Sequence, residues 1–309
     1  MGAINRSSIS KQLLPGLNDV FGMEYGEVAD EHAALFEVEN SDRAFEEEVL
    51  FTGFGTAPSK SEGAAVSYDD AAEGYVARYT METIALAFAI TEEAMEDNLY
   101  DSFAKLRAKA LARAMANTKQ VKAANVFNNG FSASYLGGDG VALFSASHPT
   151  IGDGNQSNTI GATDLSESAL ETALISISKI KDDRGILVGA GAESLHVPSD
   201  LVFTADQILN TPGTTTAGGS AAYAQNNINS VRNQGLVPGG WSQNRRFTDT
   251  NAWFLKTDCP NGTKMFNRVP LQTKMEPDFD TGNLRFKSRE RYAFGWSDWR
   301  GMFGASGSS

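Results

Sequence analysis

The chain has 309 residues, a formal net charge of −12, a sequence pI near 4.8 and a single cysteine, Cys259. Phosphate affinity rests largely on Lys and Arg, so this balance excludes tight sequence-specific DNA binding, and one Cys excludes an intrachain disulfide. The opening MGAINRSSISKQLLPGLNDVF lacks the apolar run of a signal peptide, and no stretch approaches about 18 uninterrupted apolar residues, so no membrane partner is expected.

Residues 1–40 carry short apolar clusters (Leu13, Leu14, Leu17, Val20, Phe21) without a sustained period, which predicts an extended arm with short helices. Strand character follows over Phe45–Phe51 and Tyr75–Ile90, where Ile84, Leu86, Phe88 and Ile90 alternate with Ala85, Ala87 and Ala89. The polar tip between them, Gly53–Gly63, makes the unit a long hairpin. Across Asp42–Glu82 there are nine acids against three bases, a net of −6. An isolated hairpin is marginal in water, so this one is expected to lie on something.

Thr91–Gly130 has no Gly or Pro before its last residue, which predicts one helix about 60 Å long at 1.5 Å per residue. Thr91 is placed to cap it, and Met95, Leu99, Phe103, Leu106, Ala110, Ala114, Val121 and Ala124 are expected to form its apolar stripe. Charge is sorted along it. Glu92, Glu93, Glu96, Asp97 and Asp101 come first, then Lys105, Arg107, Lys109, Arg113, Lys119 and Lys122. Dipole matching on a solvated face explains this; the sharper reading is a docking rail for an acidic partner, with the hairpin of a neighbouring subunit the obvious candidate.

Gly137–Gly161 is glycine-rich loop or hairpin. A helix is expected over Asp164–Asp183, with Asp164 and Glu167 as a capping box, Leu170, Leu174 and Ile177 on one face and Gly185 as its stop. LHVPSDL predicts a short strand turning into a helix over Ser199–Asn210, with Leu201, Ala205, Ile208 and Leu209 inward. Thr214–Ala222 reads as a low-complexity loop. Ile228–Val231, Leu236-Val237 and Ala252–Leu255 read as core strands of this second, α/β region. The last segment is a hairpin. A two-residue turn at Thr281-Gly282 would set Asp278 opposite Arg285 and Glu276 opposite Lys287, with Leu284, Phe286, Tyr292, Phe294 and Trp296 on one face and Arg285, Lys287, Arg289 and Arg291 on the other. Pro277 favours an edge position.

No constellation carries chemistry convincingly. Ser145, Ser147 and His148 are neighbours in sequence, but successive side chains of an extended segment diverge; a hydrolase centred on Ser147 and His148 is the rival function from another class. His32, His148 and His196 are isolated and read as hydrogen-bonding loop or core residues. GGDG at 137–140 and GDG at 152–154 match neither the EF-hand nor the P-loop spacing. No catalytic residue, cofactor or metal is expected. The basic ridge of β character at 285–291 reads as salt-bridged, solvated surface.

The segments LLPGLNDVFGMEYG, LFSASHP followed by SNTIGATDLSESALETAL, LHVPSDL, NAWFLKTD and ERYAFGWSDWRGMFG, spread over nearly the whole chain, resemble the Mu-like branch of tailed-bacteriophage major capsid proteins of the Hong Kong 97 type. The resemblance implies an α+β subunit with an N-terminal arm (1–41), an extended β-hairpin loop (42–90), a long spine helix and part of the peripheral domain (91–149), an α/β axial domain (150–258), and returning peripheral strands with the C-terminus (259–309). It implies assembly in the host cytoplasm, as hexamers and pentamers, into the icosahedral capsid of a virion that encloses double-stranded DNA and contacts it non-specifically. In this family the extended loop of one subunit overlies its neighbour, which assigns the interface to Glu46, Glu47, Glu48, Asp69, Asp70 and Glu73 against a neighbour's Lys105, Arg107, Lys109 and Arg113. The arm carries no long removable helical region of the kind some relatives have, so a separate scaffolding protein is expected, with a portal and a decoration protein as further partners. A loop crosslink of the kind some relatives form, here from Lys60 to Asn261 or Asn267, is not expected. The runner-up keeps the fold and makes the shell a cargo-enclosing nanocompartment.

Overall fold

The computed structural model describes residues 6–91, 93, 100–152, 154–213, 229–278 and 281–308. The arm holds one helix of 22 residues, α1 (Arg6–Glu27), where the broken periodicity predicts an extended arm with short helices. It runs through Pro15 and Gly16 because burial of Leu17 and Phe21, 1% and 2% exposed, outweighs their helix-breaking cost. A short strand, β1 (Glu37–Asn40), follows. The hairpin is β2 (Phe45–Phe51) against β3 (Glu73–Thr80), with Phe45 opposite Thr80 and Phe51 opposite Glu73. Buried Met81 then divides β3 from β4 (Glu82–Ile90), so β4 is not part of the hairpin. Its Ile84, Phe88 and Ile90 pack instead beneath the helices.

The long helix is described as α2 (Tyr100–Asn128); its expected first turns, at 92 and 94–99, lie outside the described residues. Its buried face differs from the expected stripe. Ala104, Ala108, Leu111, Ala112, Met115, Ala123, Ala124 and Phe127 are buried, whereas Leu106 is 64% exposed and Val121 36%. The helix therefore turns a face built mainly of alanine inward, which lets its axis approach its neighbours closely.

After the two-residue strands β5 (His148–Pro149) and β6 (Asn155–Gln156) comes α3 (Glu167–Ser178). Its cap is Ser166, whose Oγ accepts from the Ala169 N–H, while Asp164 accepts instead from Ser308. It ends at Ser178, well before Gly185. Then follow β7 (Ala192–Val197), α4 (Val202–Asn210), α5 (Ser230–Gln234), β8 (Trp241–Gln243) and β9 (Trp253–Thr257). The apolar run at 229–231 is thus the start of a helix capped by Asn229, and 236–237 is turn. Residues 214–222 and 228 lie outside the described residues. The chain closes with β10 (Thr263–Pro277), β11 (Leu284–Trp296) and β12 (Met302–Ala305).

Two four-stranded sheets result, ordered β1-β10-β11-β4 and β12-β9-β7-β8. In the first, Glu276 stands opposite Arg285 and Lys274 opposite Lys287, two residues from the expected register. The turn is longer than two residues: the Asp278 N–H donates to the Asn283 carbonyl at 2.8 Å, and Gly282 takes φ +69°. Asp278 still pairs with Arg285, diagonally from the turn. Among the described residues β10 has no strand neighbour on the β1 side beyond Asn267, so Pro277 leaves no ladder partner there short of a donor. Phe286 packs against α1 and α2, and Leu284, two residues away along the strand, is buried as well. The second sheet buries Leu195, Val197, Trp253 and Leu255 against α3 and α4 through Leu170, Ala173, Ile177 and Ile208.

The two connections between the sheets, β9 to β10 and β11 to β12, touch at Gly262 and Gly301, where a Cβ on Gly301 would collide with the Gly262 Cα. Beside them Arg300 donates to the Lys181 carbonyl at 2.9 Å, to Asp183 at 3.1 Å and to Asp298 at 3.3 Å, over the ring of Trp299.

Candidate assembly interface

The expected interface residues divide between the hairpin and α2. At the root of the hairpin, Glu46 accepts from Ser41 Oγ at 2.6 Å and lies 3.8 Å from Arg43. Glu47 lies 3.7 Å from Arg78. Glu48 meets the buried ammonium of Lys264 at 2.7 Å, and Glu39 meets the same ammonium at 2.8 Å. Burial by itself lowers the pKa of Lys264, but Glu39 and Glu48 outweigh it and the net shift is upward. Lys264 thus ties the hairpin to the first sheet.

At the far end, Thr52 and Ala72 exchange hydrogen bonds and begin the loop. Asp69 accepts from the Gly55 N–H at 2.7 Å and from Arg184 at 2.6 and 2.8 Å; these bonds hold its carboxyl below the usual range. The loop is therefore fastened to the 182–184 turn of its own chain. Asp70, Glu73 and Glu62 are exposed, and around them stand uncovered apolar side chains: Phe51 is 67% exposed, Phe54 64%, Val66 63% and Tyr68 96%. A contiguous display of this kind marks a surface that binds protein.

On α2, Lys105, Arg107, Lys109 and Arg113 are all exposed. Lys109 and Arg113 meet an acid of the arm. Glu24 of α1, 3% exposed, lies 3.3 Å from Lys109 Nζ and pairs with Arg113. Burial raises the pKa of Glu24, but the two cations outweigh that and the net shift is downward. Farther along, Lys119 lies 3.5 Å from buried Glu290, whose carboxyl burial pushes up, and Lys122 pairs with Glu82. The acids on the basic half of α2 thus come from the chain's own arm, β11 and β4. Sequence reasoning missed Glu24, Lys264 and Arg184, because each partner lies far away in sequence and no local pattern links them.

The rival site does not assemble. Ser147 is exposed and donates its N–H to Ser145 Oγ, while His148 is fully buried. Its Nδ1 meets Asp139 at 2.6 Å, its Nε2 meets Asn158 Oδ1 at 3.1 Å, and its ring stacks on Trp299 at 4.5 Å. Asn158 is itself fixed by donating to the carbonyls of Leu143, Trp299 and Met302. No ring nitrogen is left to take a proton from a serine. A cleft of about 580 Å³ between β3, the end of α2 and β11 is lined by Lys122, paired with Glu82, and by Tyr135 and Trp296. Among the described residues no group of three or more His, Cys, Asp or Glu could hold a metal, and no helix is long and apolar enough to cross a membrane.

The fold has well-defined relatives. The capsid of an empty GTA particle is 13% identical, covers 91% of this chain and 91% of its own, and superposes with a TM-score of 0.57. The procapsid of bacteriophage JBD30 is 13% identical over 97% of this chain and 75% of its own, with a TM-score of 0.52. A virus-like particle from Pyrococcus furiosus is 9% identical over 94% of this chain and 97% of its own, also with a TM-score of 0.52. No curated protein is significantly similar in sequence. The sequence pattern of the family described as phage capsid protein matches residues 74–305, from the return strand of the hairpin to the last strand. On that match the chain belongs to the phage capsid protein family, as a structural shell subunit with the Hong Kong 97-type fold.

Proposed function

We propose that copies of this chain close as hexamers and pentamers into an icosahedral phage head around double-stranded DNA, with no catalytic step of their own. The observation that carries this reading is the hairpin, an arm whose exposed Phe51, Phe54, Val66 and Tyr68 have no cover in their own subunit and need one from a neighbour. Of its acidic residues, Glu46, Glu47, Glu48 and Asp69 meet Arg43, Arg78, Lys264 and Arg184 of their own chain, and a neighbouring subunit supplies the basic counterpart of Asp70 and Glu73. Lys105, Arg107, Lys109 and Arg113 are one such surface, narrowed by the hold of Glu24 on Lys109 and Arg113. Apolar burial supplies most of the strength of such contacts, and exposed ion pairs, worth about 0.2–1 kcal/mol each, set register. A separate scaffolding protein, a portal and a decoration protein complete the particle, assembled in the host cytoplasm, and the sequence motifs favour the Mu-like branch. Negative-stain electron microscopy of the purified protein tests this: regular hollow shells are expected, and a sample that stays monomeric at high concentration would overturn it.

The similarity to the Pyrococcus furiosus virus-like particle supports a second reading, a shell that encloses protein cargo. Nuclease-protected DNA inside particles purified from the native source favours the phage head; a single co-purifying protein without DNA favours the compartment.

A further inference from the structure

The chain has two Asn-Gly pairs, Asn129-Gly130 and Asn261-Gly262. In such a pair the backbone nitrogen that follows the asparagine can attack the side-chain amide, and glycine, having no Cβ, leaves that approach open. The fold treats the two pairs differently. Asn129 lies at the end of α2, where its Nδ2 donates to the Asn125 carbonyl at 2.9 Å and buried Gly130 donates its N–H to the Phe127 carbonyl at 2.9 Å. Nucleophile and leaving group are both engaged there. Asn261 is exposed in the turn between β9 and β10, and among the described residues its side chain closes no hydrogen bond. A cavity of about 260 Å³ beside it, lined also by Glu37, Glu193, Lys256 and Asp258, admits water.

Packing holds this second pair in place. Asn261 takes φ +59° and is, among the described residues, the one non-glycine in the left-handed region, which asparagine enters more readily than most residues. A Cβ on Gly262 would lie 2.9 Å from the Gly301 Cα, so that position keeps its glycine. The carbonyls of the pair fasten the next turn: Asn261 accepts from the Asp298 N–H at 2.8 Å and Gly262 from the Ser297 N–H at 3.0 Å.

We propose that Asn261-Gly262 is a site of spontaneous deamidation, through which the junction of the two sheets changes as the protein ages. The Gly262 nitrogen bonds to Asn261 Cγ, the Cγ–Nδ2 bond breaks, and ammonia leaves with the Gly262 amide proton. Water then opens the five-membered imide. Opening at the side-chain carbonyl gives an aspartate. Opening at the main-chain carbonyl gives an isoaspartate, whose main chain is one methylene longer and whose former carbonyl is a free carboxylate. One water is consumed and one ammonia released, with no oxidant or reductant. Either product sets a new carboxylate beside Glu37, Glu193 and Asp258, where Lys256 already meets Glu193 at 3.2 Å. The isoaspartate also displaces the carbonyl that binds Asp298, the partner of Arg300 between the sheets.

The test incubates the purified full chain in warm, mildly alkaline buffer, folded or in urea, and digests it with trypsin, which releases Asn261 within residues 257–264. Mass spectrometry reads the amide-to-acid conversion, and electron-transfer fragmentation separates aspartate from isoaspartate. Two hydrogen bonds must break first at Asn129, so in the folded chain Asn261 is expected to convert about tenfold faster; in urea the two rates converge. The melting temperature of the aged wild type is expected to fall. Aged Asn261→Gly, which keeps the left-handed backbone and lacks the amide, is expected to hold its starting value. Equal rates in the folded chain, or conversion of Asn129 ahead of Asn261, overturn the assignment of the site. Conversion of Asn261 with an unchanged melting temperature overturns its action on the junction, as does an equal fall in aged Asn261→Gly.

Discussion

His196 lies fully inside the second sheet, its Nε2 2.9 Å from Ser194 Oγ and its Nδ1 2.6 Å from Ser242 Oγ. A serine hydroxyl can donate or accept, so the pair satisfies a neutral ring, which needs one of each. Burial, reinforced by Lys256, pushes the pKa down to about 3. The unfolded chain takes up this proton near pH 6.5 and the folded one does not, so the contribution is intact above about 6.5 and is lost as pH falls toward 3. Between pH 7.5 and 5.0 this amounts to about 2 kcal/mol. Urea unfolding of the subunit at those two pH values should show a loss of that size, and His196→Gln should reduce the difference. His32, also buried with its pKa lowered, adds a loss in the same direction. None of this was legible in sequence beyond the expectation of a core hydrogen-bonder, because Ser242 comes from β8 and only the fold brings it to β7.

Strands and their faces were the most legible elements. The alternation in β4 and β11 assigned their faces because a period of two survives any error in where the strand begins. Register was less legible: a turn longer than two residues shifted β10 against β11, and the sequence holds no marker of that length beyond Gly282. The helices misled in two ways. In α1, Pro15 and the glycines mask a helix that tertiary burial sustains. In α2, larger residues such as Leu106 and Val121 suggested a stripe, while the packed face is mostly alanine, a residue whose hydropathy barely distinguishes inside from outside. The candidate interface shared this fate, since charge sorting revealed the acidic hairpin but not which cations were already taken. The phase of α2 can be checked directly. Ala108→Leu overpacks the face against the sheet and should cost about 1–3 kcal/mol, whereas Leu106→Ala should change stability by no more than about 0.5 kcal/mol, both read from urea unfolding of the subunit.

At the scale of the molecule, the two sheets share an apolar cluster that holds Phe254 and Met302 of the second and Met265 and Tyr292 of the first, and a charged cluster adds to it. Arg300, 4% exposed, holds the buried carboxylates Asp183 and Asp298 together between them. Burial pushes the Asp298 carboxyl up, and Arg300 opposes that shift. Removing the guanidinium leaves two buried acids facing each other without a cation. Arg300→Met should therefore destabilise the subunit by about 3–5 kcal/mol, measured by chemical denaturation. Adding Asp183→Asn should recover part of the loss. Arg300 bonds to the Lys181 carbonyl, Asp183 and Asp298, so any assembly defect in Arg300→Met should track the fraction of folded subunit.

The strand order has a consequence in time. β12, residues 302–305, is made after every other strand of the two sheets, yet it pairs with β9 and completes the second sheet. β1 and β4, made early, have no sheet partner until β10 and β11 emerge. At a synthesis rate of about 5–20 residues per second, a growing chain spends most of its time on the ribosome with neither sheet closed. The subunit therefore gains its completed surfaces only once residues 302–305 have emerged, and copies on neighbouring ribosomes of one message are kept from joining before then.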